Sequence, residues 1–391
     1  MVERWDSRAR LANNGRALFF WVFSVLWLMQ APLARSEELR EDGYHVFPGD
    51  EIQKSLDRAA TNATLKRVVV HAGTYRPNTK RQALLWLNRR HEGIQLVAEG
   101  EVTLTAENSE IAGAGATNKA VVNHVIYIGH QVTSNTVVRG FRVTGANAFC
   151  LKGATRRYEP DETIPKNLFF FSDGGAVKIF GHSSPTLENL VIESNYTTPC
   201  AGGISIQQER PNWAPVIIRN CIFRDNRAQV TGSALDLLAG SSARVENCLF
   251  VRNASNMGVD IVALGAKETP FTNSGVVTVF EHSRLEMSHC TFVENRNAID
   301  DRGGISVFKN SIFYKNDWAT GLDAPRYEIE FVVGTRLENC RVQGAVRKVG
   351  ADRSVAIEHL SADDPAFDAD WTPKASSHEG IGYRPIKARR P

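Results

Sequence analysis

"IRNCIFRDN" at 218–226 returns as "VENCLFVRN" at 245–253, "MSHCTFVEN" at 287–295 and "FKNSIFYKN" at 308–316. Aligned on its third position, the phrase gives Asn189, Asn220, Asn247, His289, Asn310 and Asn339, with steps of 31, 27, 42, 21 and 29 residues. These are solenoid periods: one such coil cannot bury its own inner face and must share an interior with its neighbours. Within each phrase the apolar residues alternate, as in Ile218, Cys221 and Phe223, with no run at helical spacing, so each phrase is a short strand. A second strand follows a glycine bend in "GGAVKIF" at 174, "GGISIQQ" at 202, "GSALDLL" at 232, "GVVTVF" at 275 and "GGISVFK" at 303. The unequal steps place loops of variable length between constant strands, and the longest predicts an extra turn carried by "NMGVDIVALG" at 256–265.

Parallel stacking at about 4.8 Å per rung puts like residues on like. The phrase therefore predicts ladders of Cys or Leu, then Phe, then Asn along the core. Asn195, Asn226, Asn253, Asn295 and Asn316 end it because Asn tolerates a left-handed turn and its amide can bond the Asn of the next rung. Of the six cysteines, Cys221, Cys248, Cys290 and Cys340 share one slot and read as stacked apolar filler. Cys150 and Cys200 lie outside the pattern and are the one candidate disulfide.

Residues 1–36 read as a secretory signal peptide: Arg8, Arg10 and Arg16 lead into an apolar stretch from Ala17 to Met29, followed by small residues at Ala34 and Ser36. That stretch is shorter than the ~20 residues that span a bilayer, which favours cleavage over an uncleaved anchor. The leader carries five Arg against Glu3 and Asp6, so it accounts for the whole net charge of +3. The neutral remainder offers no general attraction to nucleic acid or to an anionic membrane. No Gly/Ser or Pro-rich linker divides it. The expected organisation is one elongated domain: an N-terminal cap and first strands over 37–119, repeats over 120–345 with a loop insertion at 150–175, and a C-terminal tail or cap over 346–391.

The repeats resemble the right-handed parallel β-helix proteins of the pectate-lyase-like superfamily, and the flanks share the likeness. "FPGDEIQKSLDRAATNATLKRVVVHAGTYRP" is similar to that superfamily's entry segment, with Gly49, a capping helix from Ile52 and Gln53 to Ala60, a strand from Val68 to His71, and a Gly73-Thr74-Tyr75 turn. Ile52, Leu56 and Ala59 would cover the first rung. "DDPAFDADWTPKASSHEGIGYRP" resembles the closing segment of many secreted β-helix proteins, with Asp364-Pro365, Phe367 and Gly380 to Gly382. The resemblance implies an all-β fold, a single-stranded right-handed parallel β-helix with an N-terminal capping helix. It also implies a site on the outer face that takes a polysaccharide.

Fold does not confer chemistry, so candidates are ionisable residues pointing outward between inward apolar ones. Val177 and Ile179 inward put Lys178 outward; the same reasoning places Asp236 and Asp260 outside, with Gln207 and Ser306 continuing that face. Such a face could bind a uronate through Ca²⁺ held by Asp236 and Asp260, or act on its C5 proton through Lys178 or Arg210. It could equally be a solvated sheet face.

Asp300, Asp301 and Arg302 in "NAIDDRGG" read as a turn. The carboxylate pair is similar to the adjacent aspartates of polygalacturonases, whose Gly-His-Gly and Arg-x-Lys companions are missing here. His182 and His282 share a turn slot with Gly240, which favours local hydrogen bonding over catalysis, and His289 replaces a ladder Asn. The 150–175 insertion brings Arg156, Arg157 and Tyr158 together with Phe169 to Phe171, a combination suited to sugar stacking and carboxylate binding or to simple packing. Zinc spacings, P-loops, dinucleotide fingerprints and nucleophile elbows are absent. Sequons occur at Asn62, Asn195 and Asn253.

The sequence therefore predicts a secreted, monomeric protein that binds and cleaves an acidic polysaccharide by β-elimination. The alternative is a non-catalytic spacer or sugar-binding platform.

Overall fold

Successive phrases pair in parallel, with Leu187 against Ile218, Ile218 against Val245, Val245 against Met287, Met287 against Phe308 and Phe308 against Leu337. The structure, a computed structural model, describes residues 38–113, 115–148, 173–197, 200–255, 274–316, 326–332, 334–352 and 354–386. The expected leader at 1–36, Cys150 and most of the 150–175 insertion fall outside these residues, as do 256–273 and 317–325. Val245 pairs directly with Met287 and Leu235 with Val277, so no further rung separates these strands, and the stretch 256–265 expected to carry an extra turn lies outside the described residues.

Each coil gives one strand to a second sheet, as in Ile204–Gln207 and Leu235–Leu237, and two to a first sheet, as in Val216–Arg219 and Ile222–Arg224. The coil closes through a short third face made by Asn147–Ala148, Tyr196–Thr197 and Arg227–Ala228. Among the described residues, antiparallel strand pairs occur only at the two ends: Glu38–Arg40 with Gly43–Val46, and Arg341–Val349 with Val355–Leu360. These pairs and the helix Ile52–Thr61 occupy solenoid ends whose open edges would otherwise template association. The helix buries Ile52, Leu56 and Ala59. Its Gln53 bonds the backbone of Trp86 on both sides, donating to the carbonyl at 3.0 Å and accepting from the N–H at 2.7 Å, as a neighbouring strand would. Gly73 sits at a β-bulge inside the strand Arg67–Tyr75 rather than in a turn.

The ladders follow from this register. Phe223, Phe250, Phe292 and Phe313 stack with centroids 4.7, 4.3 and 4.9 Å apart and nearly parallel rings. Cys221, Cys248 and Cys290 are buried free thiols and Cys200 is also a free thiol, while its candidate partner Cys150 lies outside the described residues. Nδ2 of Asn195 donates to Oδ1 of Asn226, and the pattern repeats to Asn253, Asn295 and Asn316 at 2.7–3.1 Å. The chain of amides ends on a carboxylate, where Glu328 accepts both N and Nδ2 of Asn316.

The left-handed backbone lies elsewhere than expected. It falls on the residue before each ladder amide, at Ser194, Asp225, Arg252, Glu294 and Lys315, with φ between 52 and 55°. The asparagines that adopt it are the other column: Asn189, Asn220, Asn247, Asn310 and Asn339, joined by His289 at φ 53°. Asn195 and Asn253 are buried in the ladder, so these two sequons offer no free amide.

Outside the first sheet, charges alternate in sign along the stack. Glu188 sits between Arg139 and Arg219, and Glu193 between Arg142 and Arg224. Past the last rung the chain turns back along the solenoid's side. Gly382 N donates to Asn310 O, Tyr383 N to Thr291 Oγ1 and Arg384 N to Asn247 Oδ1. Ile381 and Tyr383, with Phe367 and Trp371, thereby cover the outward apolar residues Leu249, Val251, Val293, Ile312 and Tyr314. Among the described residues no helix is long and apolar enough to cross a membrane.

Candidate functional site: a buried file of ionisable side chains

Strand alternation fixes the site. On the second sheet Val177 and Ile179, Ile204 and Ile206, Leu235 and Leu237, and Val277 and Val279 enter the core, so the residue between each pair points the other way. In register these outward residues form one file: Tyr127, Lys178, Ser205, Asp236, Thr278, Asp300, Glu330 and Arg347. Lys178 and Asp236 share this face, but it is not solvated: both are 0% exposed and Asp300 is 1% exposed. The file comes nearer the surface at half-buried Gln207 and at Arg302, 22% exposed.

A buried ammonium is tolerated only where its protons and charge are met. Lys178 Nζ donates to Asp173 Oδ2 at 2.7 Å, to Gln207 Oε1 at 2.7 Å and to Ser205 Oγ at 3.3 Å. Ser205 Oγ in turn donates to Asp173 Oδ2 at 2.6 Å. Burial still pulls the ammonium's pKa down, against the pull of Asp173.

The carboxylates are less well served. Asp236 accepts from Thr231 Oγ1 at 3.2 Å, while its Oδ1, like Oδ1 of Asp173, is buried without a hydrogen-bond partner. Burial, and then the charge of Asp173, push Asp236 up to about 7. Asp300 accepts from Arg302 Nε at 2.6 Å, yet burial outweighs that guanidinium and pushes it up to about 7 as well. Two carboxyls with one rung between them thus exist in both protonation states near neutrality, the condition for proton transfer in either direction.

Asp300 and Asp301 belong to the strand Ile299–Asp301 and not to the turn before it, so their side chains take opposite faces. Asp301 points inward and holds a corner, accepting from Gly303 N at 3.1 Å, Gly304 N at 2.7 Å, Ser306 Oγ at 2.6 Å and Thr335 Oγ1 at 2.8 Å. The adjacent pair is therefore not a two-carboxylate site. Ser306 lies in the first sheet, facing Asp301 and not Lys178. Arg210 is exposed beyond the end of its strand, where Nε donates to His182 Nε2 at 2.7 Å, apart from the file. His182, His282 and Gly240 all have positive φ, of 60, 59 and 77°, as a shared turn slot requires. Arg156, Arg157, Tyr158 and Asp260 lie outside the described residues.

Sequence reading missed Asp173 and Thr231, the partners of Lys178 and Asp236. Each precedes its partner by five residues across the glycine bend, a recurring i, i+5 offset that could have revealed them. It also missed His124, whose Nδ1 donates to Gly174 O at 2.9 Å and whose Nε2 accepts from Gln82 Nε2 at 2.8 Å, and which burial and the nearby Lys178 charge push down to about 3. A neutral His124 adds no second positive charge beside the lysine. Ca²⁺ takes six to eight oxygens. Beside Asp236 and Asp173 the positive charge is already supplied by Lys178, and Asp260 lies outside the described residues.

A protein family described as "Right handed beta helix region" matches residues 92–317. No curated protein sequence matches the chain. Among solved structures, the catalytic domain of a GH87 alpha-1,3-glucanase in complex with tetrasaccharides is similar over 81% of this chain and 68% of its own, at 9% identity and a TM-score of 0.24.

Proposed function

We propose, from the premise that this chain belongs to the right-handed β-helix family, that it binds an acidic polysaccharide on the outward side of the second sheet and cleaves it by acid–base chemistry. One observation carries the reading: Asp236 and Asp300, on one file with only Thr278 between them, are both raised to about 7. Two rungs of about 4.8 Å separate their backbones by roughly 9.6 Å, close to the spacing of two carboxyls that admit a water between acid and base. In this scheme one carboxyl protonates the leaving oxygen and the other, ionised, takes a proton from water. Arg302 and Lys178 supply positive charge for an acidic sugar. Because both carboxyls are buried, the groups over them must part to admit a sugar.

A second reading, elimination at a uronate C5, is favoured by Lys178, whose ammonium burial pulls toward the neutral, basic form. The leader at 1–36 fits an exported protein, the setting in which such a polymer is met.

The test is an assay of the purified chain against pectate, alginate, glycosaminoglycans and sulfated glycans, with calcium and with chelator. Hydrolysis releases reducing ends alone; elimination adds the ultraviolet absorbance of unsaturated uronides. Asp236→Asn and Asp300→Asn should each lower turnover by about 100-fold or more. A chain that retards in a polysaccharide gel yet cleaves nothing would replace the enzyme with a binding platform.

A further inference from the structure

At the opposite end of the solenoid from the tail's hairpin, on the outward side of the first sheet, the strands Gly43–Val46, Arg67–Tyr75 and Gln95–Thr105 bring His45, His71 and Glu99 together. His45 Nδ1 and His71 Nε2 face each other at 2.8 Å. The remote nitrogen of each ring meets a carboxylate: His45 Nε2 lies 2.9 Å from Asp42, and His71 Nδ1 lies 3.0 Å from Glu99. The Phe47 ring stacks on His71 with centroids 4.2 Å apart and planes within 3°. His45 is almost fully buried, whereas Asp42 and Glu99 are 55% and 62% exposed.

We propose that His45, His71 and Glu99 form a binding site for a divalent transition-metal ion of the zinc class. Imidazole is the preferred nitrogen ligand for such ions. One donor atom from each of the three residues lies within 4.8 Å of the others, and Asp42 on the remote nitrogen of His45 supplies the outer contact that orients a ligating histidine. Two ring nitrogens can face each other at hydrogen-bond distance only with one proton between them. The ion replaces that proton, which leaves to solvent, and the rings separate slightly to reach nitrogen–metal distances of about 2.0–2.1 Å. Glu99, held only at an exposed tip, turns onto the ion as the third ligand, and Asp42 stays on His45.

The experiment is titration of the full chain with ZnCl₂ by calorimetry, and with CoCl₂ by visible absorption, whose ligand-field bands report nitrogen and oxygen ligation. One ion per chain is expected. His45→Ala and His71→Ala should abolish uptake, Glu99→Gln should weaken it at least 10-fold, and Asp42→Asn should weaken it about 10-fold. The last two sit at exposed positions, so they test the site even if a histidine variant misfolds. Absence of uptake by the wild type, or unchanged affinity in both Glu99→Gln and Asp42→Asn, overturns the proposal.

Discussion

The inward asparagines and the outward file of ionisable side chains are both buried, yet the asparagines are fully bonded and Asp236 of the file is not. Asn253 shows the first case: N and Nδ2 donate to Asn295 Oδ1, Nδ2 also donates to Phe223 O, and Oδ1 accepts from N and Nδ2 of Asn226. Asp236 shows the second, with one accepted hydrogen bond and one orphaned oxygen. An amide carries both donors and acceptors, so identical amides can satisfy one another indefinitely along a stack. A carboxylate only accepts, and stacked carboxylates repel. The first file is therefore a repeatable structural device. The second does not repeat and is held at a cost to stability, as expected of groups kept for chemistry.

Breaking the inner file should have the largest effect. Asn253→Ala leaves two donors of Asn226 without their acceptor, and should cost about 4 kcal/mol in urea unfolding, with the neighbouring rungs losing hydrogen-exchange protection first. A loss below about 1 kcal/mol would mean that the ladder is ornamental and the contrast between the files false.

The outer file should respond to pH in the opposite sense from ordinary salt-bridged carboxylates. Asp236 and Asp300 keep their protons to about pH 7 when folded. Unfolded, they release them near pH 4. Between those values the folded chain binds more protons, so their contribution is present at low pH and is lost as pH rises through 7. Asp236→Asn should flatten part of that slope and, at pH 8, stabilise the chain by about 3 kcal/mol over wild type. Parallel stability profiles for the two proteins would place Asp236 in a better-solvated setting than its burial implies.

The exposed charge ladder marks the lower end of the comparison. Arg219→Ala leaves Glu188 with Arg139 and should cost less than about 1 kcal/mol, a difference that salt reduces. A larger, salt-independent loss would make the surface ladder a determinant of register in its own right.

The strands, their register, the Phe and Cys stacks and the capping helix were legible in the sequence because like residues stack on like at constant spacing. The ladder role of Asn195 through Asn316 was legible too, although the left-handed turn belongs to the residue before each amide. Alternation placed Lys178 and Asp236 on one face. It could not show that the face is buried, because cover comes from residues that do not repeat. Asp300 and Asp301 were misread for a simpler reason: treating them as a turn hid the two-residue period that sends them to opposite sides. The tail was read as an end cap, since nothing local in "EGIGYRP" states that it runs back past Asn310, Thr291 and Asn247.

That returning tail also sets an order of assembly. Coils of a parallel solenoid can close one after another as the chain leaves the ribosome, but the stripe of Val251, Val293 and Tyr314 stays uncovered until Phe367 to Tyr383 have emerged. The nascent chain is therefore stickiest between the closing of its last rung and the arrival of this segment, and termination in that interval would release a molecule with all its rungs and a bare apolar flank.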